Sequence, residues 1–454
     1  MRRRVEASYG TMKRLMILAL CMSSIFFQVH AEDAAPGPST ERLDTIRYGI
    51  ETQVMELLST LKSEKNDEFL AEILSTFDGT TSPKLRSSIL DYLGALERNV
   101  AEARAADIIA RRDQESDTLV GAAFTYLVGL RSGAALEDAK TILKDDEKKY
   151  VLAAVKTLGA GGSADDAEAL RQKYESEGVD QPTKEAIVLA LGRMKSASSY
   201  ELLASVASSD ESGKALRMYA CTALGDLGDE RAVPVLTAAS IAADPNVRAS
   251  AIAALGKFTG KAALAAIREG LRDPHVLPRI AAAKASGDLA DSDAVPFLEY
   301  KASHDPERAV REAALAALSS IGGGMVDDFL YDYFSDVKMA IAYRSSAFGA
   351  VVAKGGAAPR AKALAAFAIA QAEKDRTLFT AFAKAAMAVD SPSAMPFAEA
   401  LLGDRDFSMR LGGIAWVDRN KARELAAVIR SLSENDPSDA VKRRAAQAMG
   451  RLGS

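Results

Sequence analysis

His30, His275 and His304, Cys21 and Cys221, and scattered acidic pairs are the side chains that could move protons, attack a carbonyl or hold a metal. Their spacing arms none of them. H-E-x-x-H, C-x-x-C and G-x-S-x-G are all absent, so the common zinc, dithiol and serine-hydrolase arrangements have no footing. The glycine-rich runs LGAGGSADD (158–166) and IGGGMVDD (321–328) lack the Lys-Ser/Thr of a phosphate loop and read as helix ends. Asp145-Asp146 and Asp165-Asp166 fall in polar stretches and read as solvated loop or first-turn residues. Cys221, among Met218, Tyr219 and Leu224 at helical spacing, reads as a buried structural thiol. The residues therefore imply no catalytic set, no metal and no cofactor.

One stretch suits recognition better than catalysis. Residues 326–343, VDDFLYDYFSDVKMAIAY, crowd aromatics among aspartates. Helical spacing assigns Val326, Leu330, Tyr333, Phe334 and Val337 to a buried face. Tyr331 is left over for a partner, with Asp328 and Asp332 beside it.

The N-terminus has its own pattern. Met12-Lys13-Arg14 opens a basic region, residues 15–29 are mostly apolar, and Val29-His30-Ala31 forms a small-x-small cleavage pattern before Glu32. Residues 1–31 thus read as a secretory signal cut between Ala31 and Glu32, with Met12 a second candidate start. An apolar run interrupted by Ser23, Ser24 and Gln28 is too short to cross a bilayer. Arg2-Arg3-Arg4 is a weaker twin-arginine cue, and Leu18-Ala19-Leu20-Cys21 a weaker lipoprotein box. The expected location is the periplasm or cell envelope, with membrane association only through a lipid on Cys21 or through a partner.

Cleavage removes five basic residues and one acidic residue from a chain of net charge −5, leaving −9. That excess argues against a nucleic-acid partner. Cys221 then remains as the only cysteine, so no internal disulfide can form.

What remains must be built of repeats. Few aromatics and abundant alanine point to closely packed helices, and 423 residues are too many for one compact core. Residues 244–260, DPNVRASAIAALGKFTG, make a helix with Asp244 as cap, Pro245 in the first turn, and Val247, Ala251, Ala254, Leu255 and Phe258 on one face. Gly260 is expected to close it in a left-handed turn. The pattern recurs. A helix-ending glycine returns at Gly94, Gly129, Gly159, Gly192, Gly225, Gly256 and Gly287, every 30 to 35 residues, and continues through Ser319, Gly349, Gly413 and Gly450. Asp-Pro returns at Asp273, Asp305 and Asp436, followed by Arg279, Arg311 and Arg443 as Asp244 is by Arg248. Half a period away, Ala232-Val233-Pro234 and Ala294-Val295-Pro296 open the other helix of each pair.

A recurring glycine costs about 1 kcal/mol against alanine in a helix, so one register implies a benefit, most simply close approach of a neighbouring helix. The recurring arginines imply a ladder along the stack, each guanidinium on a capping aspartate or a carbonyl of the adjacent repeat.

These A-V-P-x-L, D-P-x-V-R and A-L-G signatures resemble HEAT repeats, especially the short phycobilisome-lyase type, over most of residues 67–453. The resemblance implies an all-α, right-handed solenoid of about twelve hairpins, on the order of 100 Å long at 8–10 Å between helices. Residues 32–40 are expected as a linker, 41–66 as one N-terminal capping helix entered through Ser39 and Thr40, and 67–454 as the repeat domain. Gly412-Gly413 is expected to weaken its helix and mark a bend. Deoxyhypusine hydroxylase is similar in architecture but needs repeated His-Glu pairs for two irons, and neither His275 nor His304 precedes Glu. Bilin lyases of this repeat type handle a tetrapyrrole, for which no pocket is legible. The expected function is a non-catalytic scaffold or adaptor that binds another protein along the groove lined by second helices. An enzyme or accessory subunit related to the lyases is the first alternative, and a self-associating structural protein of the envelope the second.

Overall fold

The computed structural model describes residues 38–145 and 147–452; the expected Ala31–Glu32 cleavage site and most of the expected linker lie outside them. The described residues form 26 α-helices and six short 3-10 turns, with no strand. The helices pair, first with second, and within each of two compact units each second helix also packs on the second helix of the next pair. The chain divides into two compact units at the glycines 161 and 162. The first holds four pairs, from Pro38–Tyr48 with Glu51–Glu64 to Leu136–Lys144 with Val151–Gly161. The second holds nine, from Ala167–Glu175 with Gln181–Arg193 to Ala426–Asn435 with Asp439–Leu452.

The expected capping helix over 41–66 is two helices. The chain breaks at Gly49 and Ile50, where Ile50 is extended (φ −69°, ψ 158°) and its N–H donates to Gln53 Oε1 at 3.1 Å, restarting the helix. Ser39 and Thr40 lie within the first turn of Pro38–Tyr48 instead of capping it. Both helices join the stack as a further pair ahead of the twelve.

Asp-Pro plays two parts. Asp244 caps Pro245–Leu255 directly, its carboxylate accepting the N–H groups of Asn246 at 2.8 Å and Val247 at 3.3 Å. Asp273, Asp305 and Asp436 instead accept from the N–H two residues on, in the turn before helices that start at Val276, Arg308 and Asp439. Gly260 is no left-handed cap. Its φ is −67°, and it leads into Lys261–Gly270, because the preceding helix has already ended at Leu255. The left-handed positions after second helices are taken by Lys65, Glu97, Arg131, Lys195, Gly228, Ala290 and Lys421.

At four successive repeats of the second unit the register glycine is thereby released for packing, whereas Gly129 and Gly450 face open space. A Cβ on Gly192 would lie 2.5 Å from Ala223 Cα, on Gly225 2.9 Å from Ala254 Cβ, on Gly256 3.0 Å from Ala285 Cβ, and on Gly287 2.7 Å from Ala317 Cα. Real carbon contacts sit near 3.5–4.0 Å, so only glycine permits these helix approaches. At the next step Ser319 Oγ donates to Ala350 O at 2.7 Å. Farther on, alanine and glycine give way to phenylalanine: Phe348 stacks on Phe382 with centroids 4.1 Å apart, and Phe367, Phe379 and Phe397 pack around them. The pair Gly412-Gly413 does not break its helix, which runs unbroken over Phe407–Asn420. Gly413 packs tightly on Leu402 and Ala398 of its own hairpin, whereas Gly412 faces open space.

Candidate interaction surface

The sequence-selected aspartates and arginines separate into caps and ladder rungs. Arg248 Nη1 donates to the carbonyls of Ala242 and Ala243 at 3.0 and 2.9 Å, while Nε and Nη2 hold Asp273 of the next repeat at 2.7 and 2.9 Å. One step on, Arg279 Nη1 donates to the carbonyls of Asp273 and Pro274, and Nη2 to Asp305 Oδ1 at 2.9 Å. Its Nε, 2.9 Å from Asp305 Oδ2, is out of line for a hydrogen bond. These two side chains are 7% and 1% exposed, so the pair is a buried one.

Two rungs went unnoticed in the sequence. Arg410 holds Asp436 at 2.7 and 2.9 Å, and Arg376 Nη2 donates to Asp404 at 2.7 Å. The signal for Arg410 was the spacing itself: Asp404 precedes it by six residues, as Asp273 precedes Arg279 and Asp305 precedes Arg311. Two of the expected rungs are corrected by that spacing. Asp244, four residues before Arg248, only caps its own helix. Arg443 comes seven residues after Asp436, which turns it by one helical step, and it is exposed with no rung to make. Its neighbour Arg444 reaches Asp418 at 3.0 Å instead.

Burial by itself would push the carboxyls of Asp273, Asp305 and Asp436 up. The arginine and backbone N–H on each outweigh it and hold all three below the usual carboxylate range. These three rungs are thus ionised pairs at neutral pH.

On the other side of the second helices, a cleft of about 400 Å³ runs across three successive repeats of the second unit. Its lining is mostly small, with Ser250, Ala253 and Ala281, and its charged members are Lys257, Lys284 and Asp288. Because the Gly–Ala contacts draw the second helices together, this row is the inner side of the stack in that unit.

The aromatic segment folds as the helix Gly324–Ser335, burying Val326, Leu330, Tyr333 and Phe334. Val337, expected in that face, is 83% exposed, because the helix ends at Ser335. Tyr331 lies on the exposed side, edge-on to Phe334 at 5.3 Å, with Lys362 Nζ 5.2 Å from its ring centroid. Lys362 also pairs with Asp328 at 3.0 Å, and Asp332 is exposed beside them. Cys221 is buried, and desolvation pushes its thiol up to about 11. His275 Nδ1 accepts from the Leu277 N–H at 3.3 Å and so caps a helix, and His304 stacks on Tyr300 at 4.7 Å. Among the described residues no group of His, Cys, Asp and Glu is placed to hold a metal ion, and no helix is long and apolar enough to cross a membrane.

Fold and surface together define a class: a HEAT-type helical solenoid, its second helices closed on glycine–alanine contacts and linked by an arginine–aspartate ladder. The family model of the spirochaete HEAT repeat proteins matches residues 46–448, and the chain belongs to that family. Among solved structures it is similar to the complex of CpcE and CpcF of phycocyanin lyase from Nostoc sp. PCC7120, at 20% identity over 63% of this chain and 94% of that one, with a TM-score of 0.33. It is similar also to human deoxyhypusine hydroxylase in complex with glycerol, at 18% identity over 63% and 96%, TM-score 0.26. A third is Kap95p from a structure with RanGDP, at 12% identity over 93% and 67%, TM-score 0.43. These likenesses concern the fold alone. No curated protein sequence matches it.

Proposed function

We propose that this protein is a non-catalytic scaffold that binds another protein along the second-helix face of its second unit. One observation carries the reading: the small-residue lining of the inner cleft runs across three repeats, with Lys257 and Lys284 from successive repeats, as a surface for an extended partner does. Membership in a HEAT repeat family supports it, since such stacks commonly present binding faces. Cys221 is buried, His275 caps a helix and His304 stacks on Tyr300. Export through residues 1–31 places the scaffold in the cell envelope, and Tyr331 with Asp328 and Asp332 offers a second contact on the first-helix side.

Capture of the tagged chain from lightly cross-linked envelope fractions tests the reading. Wild type should retain one abundant partner, and Lys257→Glu with Lys284→Glu should lose it while the circular dichroism stays unchanged. Recovery of the chain alone would favour self-association, and retention by the charge-reversed variant would move the contact elsewhere. N-terminal sequencing of the envelope protein tests export, with Glu32 the expected first residue.

A further inference from the structure

Six second helices carry an arginine three or four residues past their start, Arg217, Arg248, Arg279, Arg311, Arg344 and Arg410, and in the repeat between the last two Arg376 stands one residue ahead of the helix Thr377–Met387. Four of these arginines reach a carboxylate of the following repeat: Asp273, Asp305, Asp404 and Asp436. Each of those carboxylates stands six residues before the register residue of its own repeat. Three steps lack one there. At the first, Ala242 holds the place, and Arg217 turns back to Asp210 of its own repeat. At the last, Ala370 holds it, buried inside the helix Ala357–Ala372. Between Arg311 and Arg344 the place belongs to Lys338, which is exposed.

This step is open and leaves its arginines without a bonded carboxylate. Arg311 donates through Nε to Asp305 O at 2.5 Å and lies over the Tyr343 ring at 4.6 Å. Arg344 donates through Nε to Phe334 O at 2.8 Å. Neither forms an ion pair. Asp336, the acid beside them in the same turn, accepts the Lys338 N–H at 2.8 Å, and it and Glu373 act on Arg344 only through space. Partial burial lowers the Arg344 pKa, as expected for a guanidinium drawn from water without a bonded carboxylate.

We propose that Arg311, Lys338 and Arg344 receive an acidic side chain of a partner protein. Its carboxylate takes the place that Asp273, Asp305, Asp404 and Asp436 take at the other steps. The inference rests on the scaffold reading and supplies the partner's chemistry: an exposed segment bearing Asp or Glu. Arginine's planar fork suits a carboxylate, as the neighbouring rungs of this chain demonstrate.

The test is fluorescence anisotropy at low salt with a labelled Gly/Ser peptide carrying a central Glu-Glu, against the same peptide carrying Gln-Gln. The expected result is at least tenfold tighter binding of the glutamate peptide. Lys338→Asp fills the place from within on an exposed loop that tolerates the change, and should weaken that binding at least tenfold with an unaltered far-UV spectrum. Arg344→Ala should do the same. Equal binding of the two peptides, or a Lys338→Asp chain that still binds the glutamate peptide, overturns the proposal. Displacement by inorganic phosphate at concentrations where acetate is inert overturns it too, in favour of a phosphate ligand. The scaffold reading fails separately, when charge reversal at Lys257 and Lys284 leaves partner capture intact.

Discussion

Replacing Gly192 by alanine is a severe test of the packing argument, because helix propensity and tertiary packing predict opposite signs. Alanine favours a helix by up to about 1 kcal/mol, less at this position, next to the end of Gln181–Arg193. Its Cβ would lie 2.5 Å from Ala223 Cα and 2.7 Å from both Ala223 Cβ and Ala223 O. Those atoms belong to backbone and a rigid methyl, so no rotamer relieves the overlap. The two helices must part by about 1 Å, and overpacking of that kind costs about 1–3 kcal/mol. The expected net loss is about 2 kcal/mol.

Gly412 is the matched control, since nothing lies within 4 Å of its added Cβ and it sits mid-helix. Gly412→Ala should stabilise by about 1 kcal/mol. At roughly 2–4 °C per kcal/mol for a domain of this size, the two midpoints move several degrees apart in opposite directions. Urea and thermal unfolding followed by circular dichroism at 222 nm reads both. A Gly192→Ala chain as stable as wild type, or a Gly412→Ala chain that falls with it, refutes the assignment of the register glycine to helix approach.

Asp305→Ala leaves Arg279 buried without its carboxylate and should destabilise by about 3–5 kcal/mol in urea titration, while Arg443→Ala, an exposed residue, should change the midpoint negligibly. Asp273, Asp305 and Asp436 have folded pKa values below their unfolded ones, so their contribution is complete above about pH 5. It is lost as pH falls through about 4 and below; a urea midpoint that stays constant from pH 7 to pH 3 would contradict the ladder. Cys221, with its thiol raised to about 11 by burial, should resist a thiol reagent at pH 8 in a Cys21→Ser chain. Labelling should then track unfolding of the second unit, and prompt labelling of the folded chain would place the thiol at the surface.

Much of the stack was legible because its signals are local and periodic. Asp244 ahead of Pro245 announces a cap, and Val247, Ala251, Ala254, Leu255 and Phe258 announce a buried face; all five are buried. A six-residue spacing is harder to see than an Asp-Pro pair, so Arg410 escapes notice and Arg443 reads as a rung, while Arg376 has no acid at that spacing to announce it. The break at Gly49–Ile50 was missed because the apolar period runs through it. Gly412-Gly413 misled for the opposite reason: a pair of glycines weakens an isolated helix, but packing on Leu402 and Ala398 holds this one.

The sequence by itself determined the all-helical repeat, its period and the residue types at each register, because caps and hydrophobic faces act within a few residues. The recurrence of glycine also required some close approach. Only the tertiary structure decided what approaches, since the alanines opposite Gly192, Gly225, Gly256 and Gly287 lie about thirty residues away and on another helix. It likewise decided which arginines meet carboxylates. A rung needs two side chains from different repeats to converge in a site sheltered from water, and spacing along one chain cannot report that.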